Sequence, residues 1–234
     1  MVSVAPLHSL KSDWAWCAAL WLIVLLFDAS GADAWFTRLY GTASGFPWRD
    51  HWLASDIMHR GGRVASWFLF GVTVAMTVRP WQAIAMMPRR HRVWWVACTV
   101  LCLLLIPLIK RISLTSCPWD LRDFGGSADW VSHWNWGAAD GGGGRCFPSG
   151  HASGAFGFFA GYFALREYAP RAARLWLGAV MVLGMLFGWA QLMRGAHHLS
   201  HALWTAAICW SVTLLTFHTT LRSGWIGRQR LREP

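Results

Sequence analysis

Two segments of the chain carry histidines next to small or cationic residues, in patterns that suit phosphate chemistry. The first is Pro148-Ser149-Gly150-His151, which follows a run of glycines at residues 141–144 and precedes an apolar run. Proline suits the first turn of a helix, and free backbone N–H groups at a helix start attract anions. His151 adds a titratable group beside an anion held there. The second segment is a cluster of three histidines: His197, His198 and His201.

Phosphoryl transfer needs cations and N–H donors around the phosphate oxygens, with a nucleophile and an acid on opposite sides of the phosphorus. Two histidines can supply the nucleophile and the acid. Lys110 and Arg194 end apolar runs and are the candidate cations. A metal held by the histidine cluster is the alternative, but no acidic residue flanks the cluster and a metal leaves Lys110 unexplained. We therefore expect no metal and no other cofactor.

The composition is that of an integral membrane protein. Of 234 residues, 55% are hydrophobic and only 14% are charged, and apolar runs close to the length of a bilayer crossing recur. The net charge of +10 comes from residues in short loops between these runs, so a membrane surface explains it, and no nucleic-acid-binding signature is present. We predict an all-α, polytopic membrane protein with a single domain over residues 1–234.

Six membrane-spanning helices are expected, at about residues 14–27, 64–78, 93–109, 152–165, 175–193 and 202–221. The first run has no clear cleavage site after it and is interpreted as a retained helix. Residues 31–63 mix aromatic and charged side chains, which predicts a short interfacial helix. The basic run at residues 59–63 could join a site built by later segments, but a turn at the membrane surface is the favoured interpretation. Tryptophans of the long loop are expected to anchor it at the interface: Trp119, Trp130, Trp134 and Trp136.

An even number of spans places both termini on the same side of the membrane. The loops on that side carry 12 of the lysines and arginines and are almost purely basic, whereas the opposite loops carry nine and most of the acidic residues. The positive-inside rule then places both termini in the cytoplasm. Lys110, His151, Arg194 and His197 share the opposite, external face, where polar residues at helix ends can form one site.

Six cysteines are present, and two of them differ from the rest. Cys117 and Cys146 lie in the same polar loop and could form a disulfide if that loop faces an oxidising compartment, although spacing alone does not fix their geometry. The other four lie in apolar runs, where cysteine usually acts as a small buried hydrophobic residue: Cys17, Cys98, Cys102 and Cys209.

Three segments together resemble the signature motifs of the type 2 phosphatidic acid phosphatase superfamily, which includes bacterial lipid phosphatases, undecaprenyl pyrophosphate phosphatases and lipid A phosphatases. The first motif is a lysine, six residues and Arg-Pro, and here it reads Lys110, six residues and Cys117-Pro118. The second, Pro-Ser-Gly-His, is intact at residues 148–151. The third is Ser-Arg, five residues, His, three residues and Asp. Here Ala190-Gln191 replace Ser-Arg, His197 takes the His position and His201 the Asp position.

The resemblance implies a role for each matching residue. His197 would be the nucleophile that forms a phosphohistidine, and His151 the general acid. Lys110, Ser149 and the backbone N–H of Gly150 would hold the phosphate oxygens. The resemblance further implies a membrane lipid phosphate as substrate and a periplasmic site in the bacterial inner membrane.

The departures from the motifs remove two guanidinium groups, at Cys117 and Gln191. Arg194 is the expected replacement, because it lies nearly one helical turn from Gln191. Arg111 and Arg145 are second choices. His201 would orient His197, but a neutral imidazole stabilises a positive histidine less than a carboxylate does. Two acidic residues of the long loop are alternative orienting groups: Asp120 and Asp123.

Other functions stay open at the level of sequence. A lipid phosphotransferase would use the same residues, and a non-catalytic protein that binds anionic lipids would explain the altered motif positions. A six-span haem protein is disfavoured, because haem ligation requires paired histidines within the spans, whereas these histidines fall near span ends or in loops. The sequence does not reveal the oligomeric state or the particular lipid.

Overall fold

The computed structural model describes residues 10–135 and 137–226, and within them all regular structure is helical. The α-helices are α1 Leu10–Ala29, α2 Ala32–Arg38, α3 Gly62–Val78, α4 Arg89–Ile112, α5 Gly150–Phe156, α6 Ala160–Leu165, α7 Pro170–Met193 and α8 Leu199–Arg222. A π-helical turn, Leu53–Gly61, leads directly into α3. Short 3₁₀ turns cover Gln82–Met86, Pro118–Asp120, Arg122–Phe124 and Gly157–Phe159.

Five stretches in the described part of the chain are long and apolar enough to cross a membrane, not the six expected. They are Lys11–Ala29, Leu53–Val78, Arg89–Ile112, Pro170–Met193 and Leu199–Arg222. The expected span at residues 152–165 corresponds to α5, a 3₁₀ turn and α6, which together are shorter than the other five. The second stretch begins at Leu53 and not near residue 64, because the helix continues through the basic run that interrupts the apolar pattern.

The short α5–α6 segment forms the centre of the bundle. Phe156, Phe158 and Phe159 are fully buried, and the segment packs against α4, α7 and α8. Glycine allows one of these close contacts, because an added Cβ at Gly184 of α7 would lie 2.2 Å from the Phe156 ring. The fourth predicted span is therefore surrounded mainly by protein.

Buried charges join the first helix to the rest of the bundle. Arg166, just after α6, donates two hydrogen bonds of 2.8 and 2.9 Å to the carboxylate of Asp13 in α1. Nε2 of His218 in α8 lies 3.3 Å from the same carboxylate. A bidentate arginine–carboxylate pair is strong and directional, so it fixes α1 against α6 and α8. The tail arginines 228, 230 and 232, which contribute to the predicted orientation, lie outside the described residues, as does Trp136.

The long loop between α4 and α5 is held by a disulfide and a buried aspartate. Cys117 and Cys146, whose pairing the sequence leaves open, are joined, with their Cα atoms 5.1 Å apart. The carboxylate of Asp140 accepts hydrogen bonds from the backbone and hydroxyl of Ser116, at 2.6 and 2.7 Å, and from the N–H of Gly142 at 3.0 Å. These contacts fix both ends of the loop beside the start of α5. The other four cysteines are free and buried, as their apolar surroundings predict.

Candidate active site

A cavity of about 710 Å³ lies among the π-helical turn, α3, α4, α5 and the connection between α7 and α8. One end is polar and basic, and its side chains come from all of these elements: His59, Arg63, Lys110, His151, Arg194 and His197. The other end lies between α3 and α4 and is apolar: Trp67, Phe70, Leu103, Leu104 and Pro107. The cavity therefore combines an anion-attracting region with a hydrophobic one.

Most of the residues predicted from the motifs line this cavity, but two do not. Lys110, Gly150, His151, Arg194 and His197 all contribute to its wall. Ser149 is fully buried just before α5, and its hydroxyl has no hydrogen-bond partner among the described residues. His201 lies behind His197 and lines a second, smaller cavity of about 220 Å³. The helix begins at Gly150, so Pro148 precedes the first helical turn and is not part of it.

His197 is held in the tight connection between α7 and α8. Gly195 adopts a φ of +70° in this turn, and an added Cβ there would lie 2.4 Å from the ring of Phe46. The backbone N–H of His197 donates to the carbonyl of Gln191 at 3.3 Å. The imidazole is almost completely buried, and this burial, with a contribution from the charge of Lys110, holds the pKa of His197 well below its usual value. His197 is therefore neutral near pH 7 and has a free ring nitrogen.

The groups that orient His197 lie on the side away from the cavity. Nδ1 of His197 is 3.4 Å from Nδ1 of His201, so one imidazole can donate to the other when their tautomers are complementary. The backbone of Cys146 also interacts with both rings. The two aspartates considered from sequence are engaged elsewhere. The carboxylate of Asp120 accepts from the N–H of Cys117 at 3.3 Å, and Asp123 forms an exposed ion pair with Arg38 at 3.4 Å.

His151 lies in the first turn of α5 and contacts the π-helical turn. Its Nε2 donates a hydrogen bond of 3.1 Å to the backbone carbonyl of Met58. This bond fixes the proton on Nε2 and leaves Nδ1 for proton exchange. The His151 ring also packs against those of Phe187 and His59, with centroid distances of 4.8 and 4.7 Å. An added Cβ at Gly62 would lie 2.7 Å from the Phe187 ring, so this glycine allows α3 to approach.

The basic run at residues 59–63 joins the cavity, contrary to the surface turn favoured from sequence. His59 and Arg63 line the wall, and His59 contacts His151 directly. Arg60, between them, points outwards and pairs with Asp56 at 2.7 Å. The run of histidine, arginines and glycines is the signal for this part of the site, but charge alone does not distinguish a cavity wall from a membrane surface. A π-helical turn often occurs at a functional site.

The positions altered in the motifs leave other groups in the wall. Gln191 is buried and its side-chain NH₂ has no hydrogen-bond partner among the described residues. Nε of Arg194 donates to the carbonyl of Arg49 at 2.8 Å, and Nη1 to Oε1 of Gln191 at 3.4 Å. Nζ of Lys110 lies over the start of α5, 3.9 Å from where a Cβ of Gly150 would be. Arg111 and Arg145 are exposed and lie outside this wall.

The metal site considered from sequence does not fit this arrangement. His198 faces away from His197, and its Nδ1 lies 2.8 Å from the hydroxyl of Thr37. The potential ligand atoms that do converge, within 4.8 Å of one another, belong to Cys146, His197 and His201. Cys146 is in a disulfide and offers no thiolate, so this set lacks the anionic ligand of a thiolate–imidazole metal site.

The fold and the cavity define a class: a helical protein with several membrane-spanning helices and a basic, histidine-containing cavity open to an apolar groove. Residues 91–225 match the model of the PAP2 superfamily, and the chain belongs to that superfamily. The matched region contains all three motif segments and helices α5 to α8. No curated protein and no solved structure matches the chain.

Proposed function

We propose that the protein is a membrane lipid phosphatase that hydrolyses a lipid phosphate or pyrophosphate through a phosphohistidine on His197. The supporting observation is the two-ended cavity, because a phosphate and an apolar chain are the two parts of such a substrate. The proposed acyl or isoprenyl position is the groove between α3 and α4, where Leu103, Leu104 and Phe70 line the wall. Members of the superfamily are generally phosphatases.

The proposed reaction has two steps. Nε2 of His197, the nitrogen not directed at His201, attacks the phosphorus, and a P–N bond forms as the P–O bond to the lipid breaks. The charge of the bound phosphate holds a second proton on Nδ1 of His151, and this proton goes to the departing oxygen while the Nε2 proton stays bonded to Met58. A water molecule then attacks the phosphohistidine and gives a proton to His151, and inorganic phosphate leaves with His197 restored. The reaction needs no metal, because side chains and N–H groups neutralise the phosphate charge.

The phosphate oxygens would be held mainly by side chains from three elements. Lys110 of α4 and Arg194 after α7 supply positive charge, and the free NH₂ of Gln191 supplies a hydrogen bond. The N–H of Gly150 would complete the set, whereas the hydroxyl of Ser149 lies outside the cavity wall. Gln191 donates to a phosphate but carries no charge, so Arg194 is the proposed substitute for the guanidinium expected at the third motif.

The proposed topology places this site on the periplasmic side of the bacterial inner membrane. We count the short α5–α6 segment as a sixth crossing that is enclosed by the other helices, which leaves both termini in the cytoplasm. The supporting observation is that α5 and α8 begin beside the cavity and that α4 ends beside it. The disulfide of the long loop agrees with an oxidising compartment on this side.

The test is phosphate release by the detergent-purified protein, with and without a metal chelator. Phosphatidic acid, phosphatidylglycerol phosphate, undecaprenyl pyrophosphate and lipid A cover the substrate classes. We expect chelator-resistant release from at least one lipid, and an acid-labile phosphoprotein on rapid quenching. The His197→Asn variant should abolish both signals. The His198→Asn variant is the matched control, because His198 faces Thr37 and not the cavity.

Two other functions predict different results in the same assay. A phosphotransferase would release little inorganic phosphate from a single lipid but would phosphorylate an added acceptor lipid. A non-catalytic binder, which the substitutions at Cys117, Gln191 and His201 motivate, would bind the lipids equally well with His or Asn at position 197 and release nothing in either form. Absence of release, transfer and phosphoprotein would therefore contradict the phosphatase proposal.

A further inference from the structure

Two residues outside the three motifs contribute to the basic end of the cavity. His59 belongs to the π-helical turn and Arg63 to the first turn of α3, and both line the same wall as Lys110 and His151. Both precede the region matched by the superfamily model, which begins at residue 91. Neither residue is required to hold the transferred phosphate, for which Lys110, Arg194 and Gln191 are available.

His59 lies next to the place where the leaving group is expected. The ring of His59 lies 4.7 Å from that of His151, centroid to centroid. A general acid must lie within hydrogen-bond reach of the oxygen that it protonates. The atom attached to the far side of that oxygen therefore lies close to His151 and next to His59. In a lipid monophosphate this atom is carbon, whereas in a lipid diphosphate it is a second phosphorus.

The charge of the wall exceeds what one phosphate needs. Lys110, Arg63 and Arg194 are cations that line this cavity within electrostatic reach of His59, whereas Arg60, also within reach, is exposed and paired with Asp56. No aspartate or glutamate is among the described residues that line this cavity. Asp56, the acidic residue nearest in sequence, is paired with Arg60 at 2.7 Å, and Arg63 forms no ion pair within the described ranges. Like charges around one cavity repel one another, and a phosphate ester with a charge of only about −1.5 to −2 neutralises them incompletely.

A buried donor in the same wall independently indicates a ligand. The NH₂ group of Gln191 is buried, and no partner for it exists among the residues that the structure describes. A buried polar group without a partner is costly, and an anion with several acceptor oxygens would satisfy it. Gln191 therefore indicates that an anion binds in this wall, where the three cations carry more positive charge than one phosphate neutralises.

We propose that His59 and Arg63 form a second phosphate subsite, which makes a lipid diphosphate the preferred substrate of this cavity. This inference rests on the proposed phosphatase function. Nε2 of His197 attacks the terminal phosphorus, and the bond from that phosphorus to the bridging oxygen breaks. The lipid monophosphate leaves with its own phosphate between His59 and Arg63. Water then cleaves the P–N bond, so that one diphosphate and one water give a lipid monophosphate and inorganic phosphate.

The first experiment compares farnesyl diphosphate with farnesyl monophosphate, two probes with the same chain. The unmodified protein should have a higher kcat/KM for the diphosphate. R63Q and H59Q should each lower the ratio of diphosphate to monophosphate kcat/KM by about tenfold, the usual effect of losing one charge-assisted hydrogen bond. R60Q is the matched control and should leave the ratio unchanged, because Arg60 lies in the same segment but pairs with Asp56. An equal fall with both substrates in R63Q and H59Q would overturn the subsite.

The second experiment separates the subsite from the catalytic proposal. The H197A variant is used because it cannot form a phosphohistidine, and its thermal stabilisation by inorganic diphosphate is compared with that by inorganic phosphate. We expect diphosphate to stabilise H197A at lower concentration, and R63Q added to H197A to remove most of this difference. This result would support the subsite even if no lipid were hydrolysed. Equal stabilisation by the two anions, or no effect of R63Q, would overturn the subsite even if the phosphatase activity were found.

Discussion

Residues 91–225 and residues 10–90 contribute to one cavity in different ways. The later region carries the recognisable motifs, and it places His151 and His197 at the starts of helices that pack in the centre of the bundle. The earlier region carries no motif, yet it supplies His59, Arg63 and the carbonyl that holds His151. The proposed reactive groups, with Lys110 and Arg194, thus come from segments with recognisable spacing, whereas His59 and Arg63 come from a helix whose approach depends on packing.

The largest expected effect is a difference in phosphate release between variants of the two regions. Replacing His197 by Asn should reduce phosphate release by at least about a thousandfold, as loss of a nucleophile generally does. Replacing His59 by Gln should cost about tenfold, because His59 would contact a leaving group and would not form a bond. Steady-state rates on the best lipid substrate give both values. A loss for the His59 variant as large as for the His197 variant would contradict this division.

The disulfide offers a second test, because it lies entirely in the later region. It joins positions 29 residues apart and fixes Cys146 beside His197. The paired change of Cys117 and Cys146 to Ser should remove about 3 kcal/mol of stability. Activity should fall as well, because the backbone of Cys146 interacts with the His197 ring. Thermal unfolding in detergent measures the first effect and phosphate release the second.

The control for this prediction is the Cys17→Ser variant. Cys17 is buried but free, and its Sγ lies 3.5 Å from the hydroxyl of Ser211, remote in sequence from the motifs. This variant should keep the activity of the unmodified protein. A reducing agent should reproduce the effect of the paired change in the unmodified protein and should have no effect on the paired variant. An unchanged melting temperature in the paired variant would count against a structural role for the disulfide.

Much of the fold follows from hydropathy, because a bilayer crossing requires a long apolar run. The runs beginning near residues 14, 93, 175 and 202 became α1, α4, α7 and α8. Hydropathy gave the start of the second stretch too late, because the helical backbone begins at Leu53 and continues through the polar residues His59 and Arg63. The fourth run is shorter than the other five stretches, and its burial depends on neighbours such as Gly184, which a linear sequence does not identify.

The candidate site was predictable where residues act through type and spacing. Lys110, His151 and His197 all reach the cavity, and so does Arg194, the substitute expected from its distance to Gln191. The role of His59 was not predictable, because it depends on a π-helical turn and on the close approach that Gly62 allows. Asp120 and Asp123 were considered as orienting groups, but local hydrogen bonding and an exposed ion pair engage them instead.

Two glycines of α3 test how closely the earlier region must approach the later one. A Cβ at Gly62 would lie 2.7 Å from the Phe187 ring and 3.4 Å from Nε2 of His151, whereas a Cβ at Gly71 would meet nothing within 4 Å. Gly62→Ala should therefore cost about 1–3 kcal/mol of stability through overpacking and should lower activity several-fold by moving His151. Gly71→Ala should be neutral or slightly stabilising. Thermal unfolding and phosphate release are measured for both variants. Losses in the Gly62 variant alone would show that the close contact with Phe187 matters, whereas equal effects in both variants would reflect helix propensity only.

The smallest expected effect is a shift in pH dependence, and it isolates the later region. Burial holds the pKa of His197 well below its usual value of about 6.5. Because the neutral imidazole attacks, this group should not limit kcat/KM as the pH falls through 6.5, and the acid limb should lie lower. His201→Asp places a carboxylate near Nδ1 of His197, now 3.4 Å from Nδ1 of His201, and stabilises the protonated form. The pKa of His197 then rises, and the acid limb should move up by about one unit or more.

His201→Asn is the control for this shift, because it removes the imidazole without adding charge. Its acid limb should stay close to that of the unmodified protein, even if its rate is lower. The charge of Lys110 opposes the new carboxylate and limits the size of the shift. The basic limb, assigned to His151, should shift much less than the acid limb, because His151 is held by Met58 in the π-helical turn and does not contact position 201. A basic limb that shifts as far as the acid limb would mean that the two histidines titrate as a coupled pair, and the separate roles of nucleophile and acid would then be wrong.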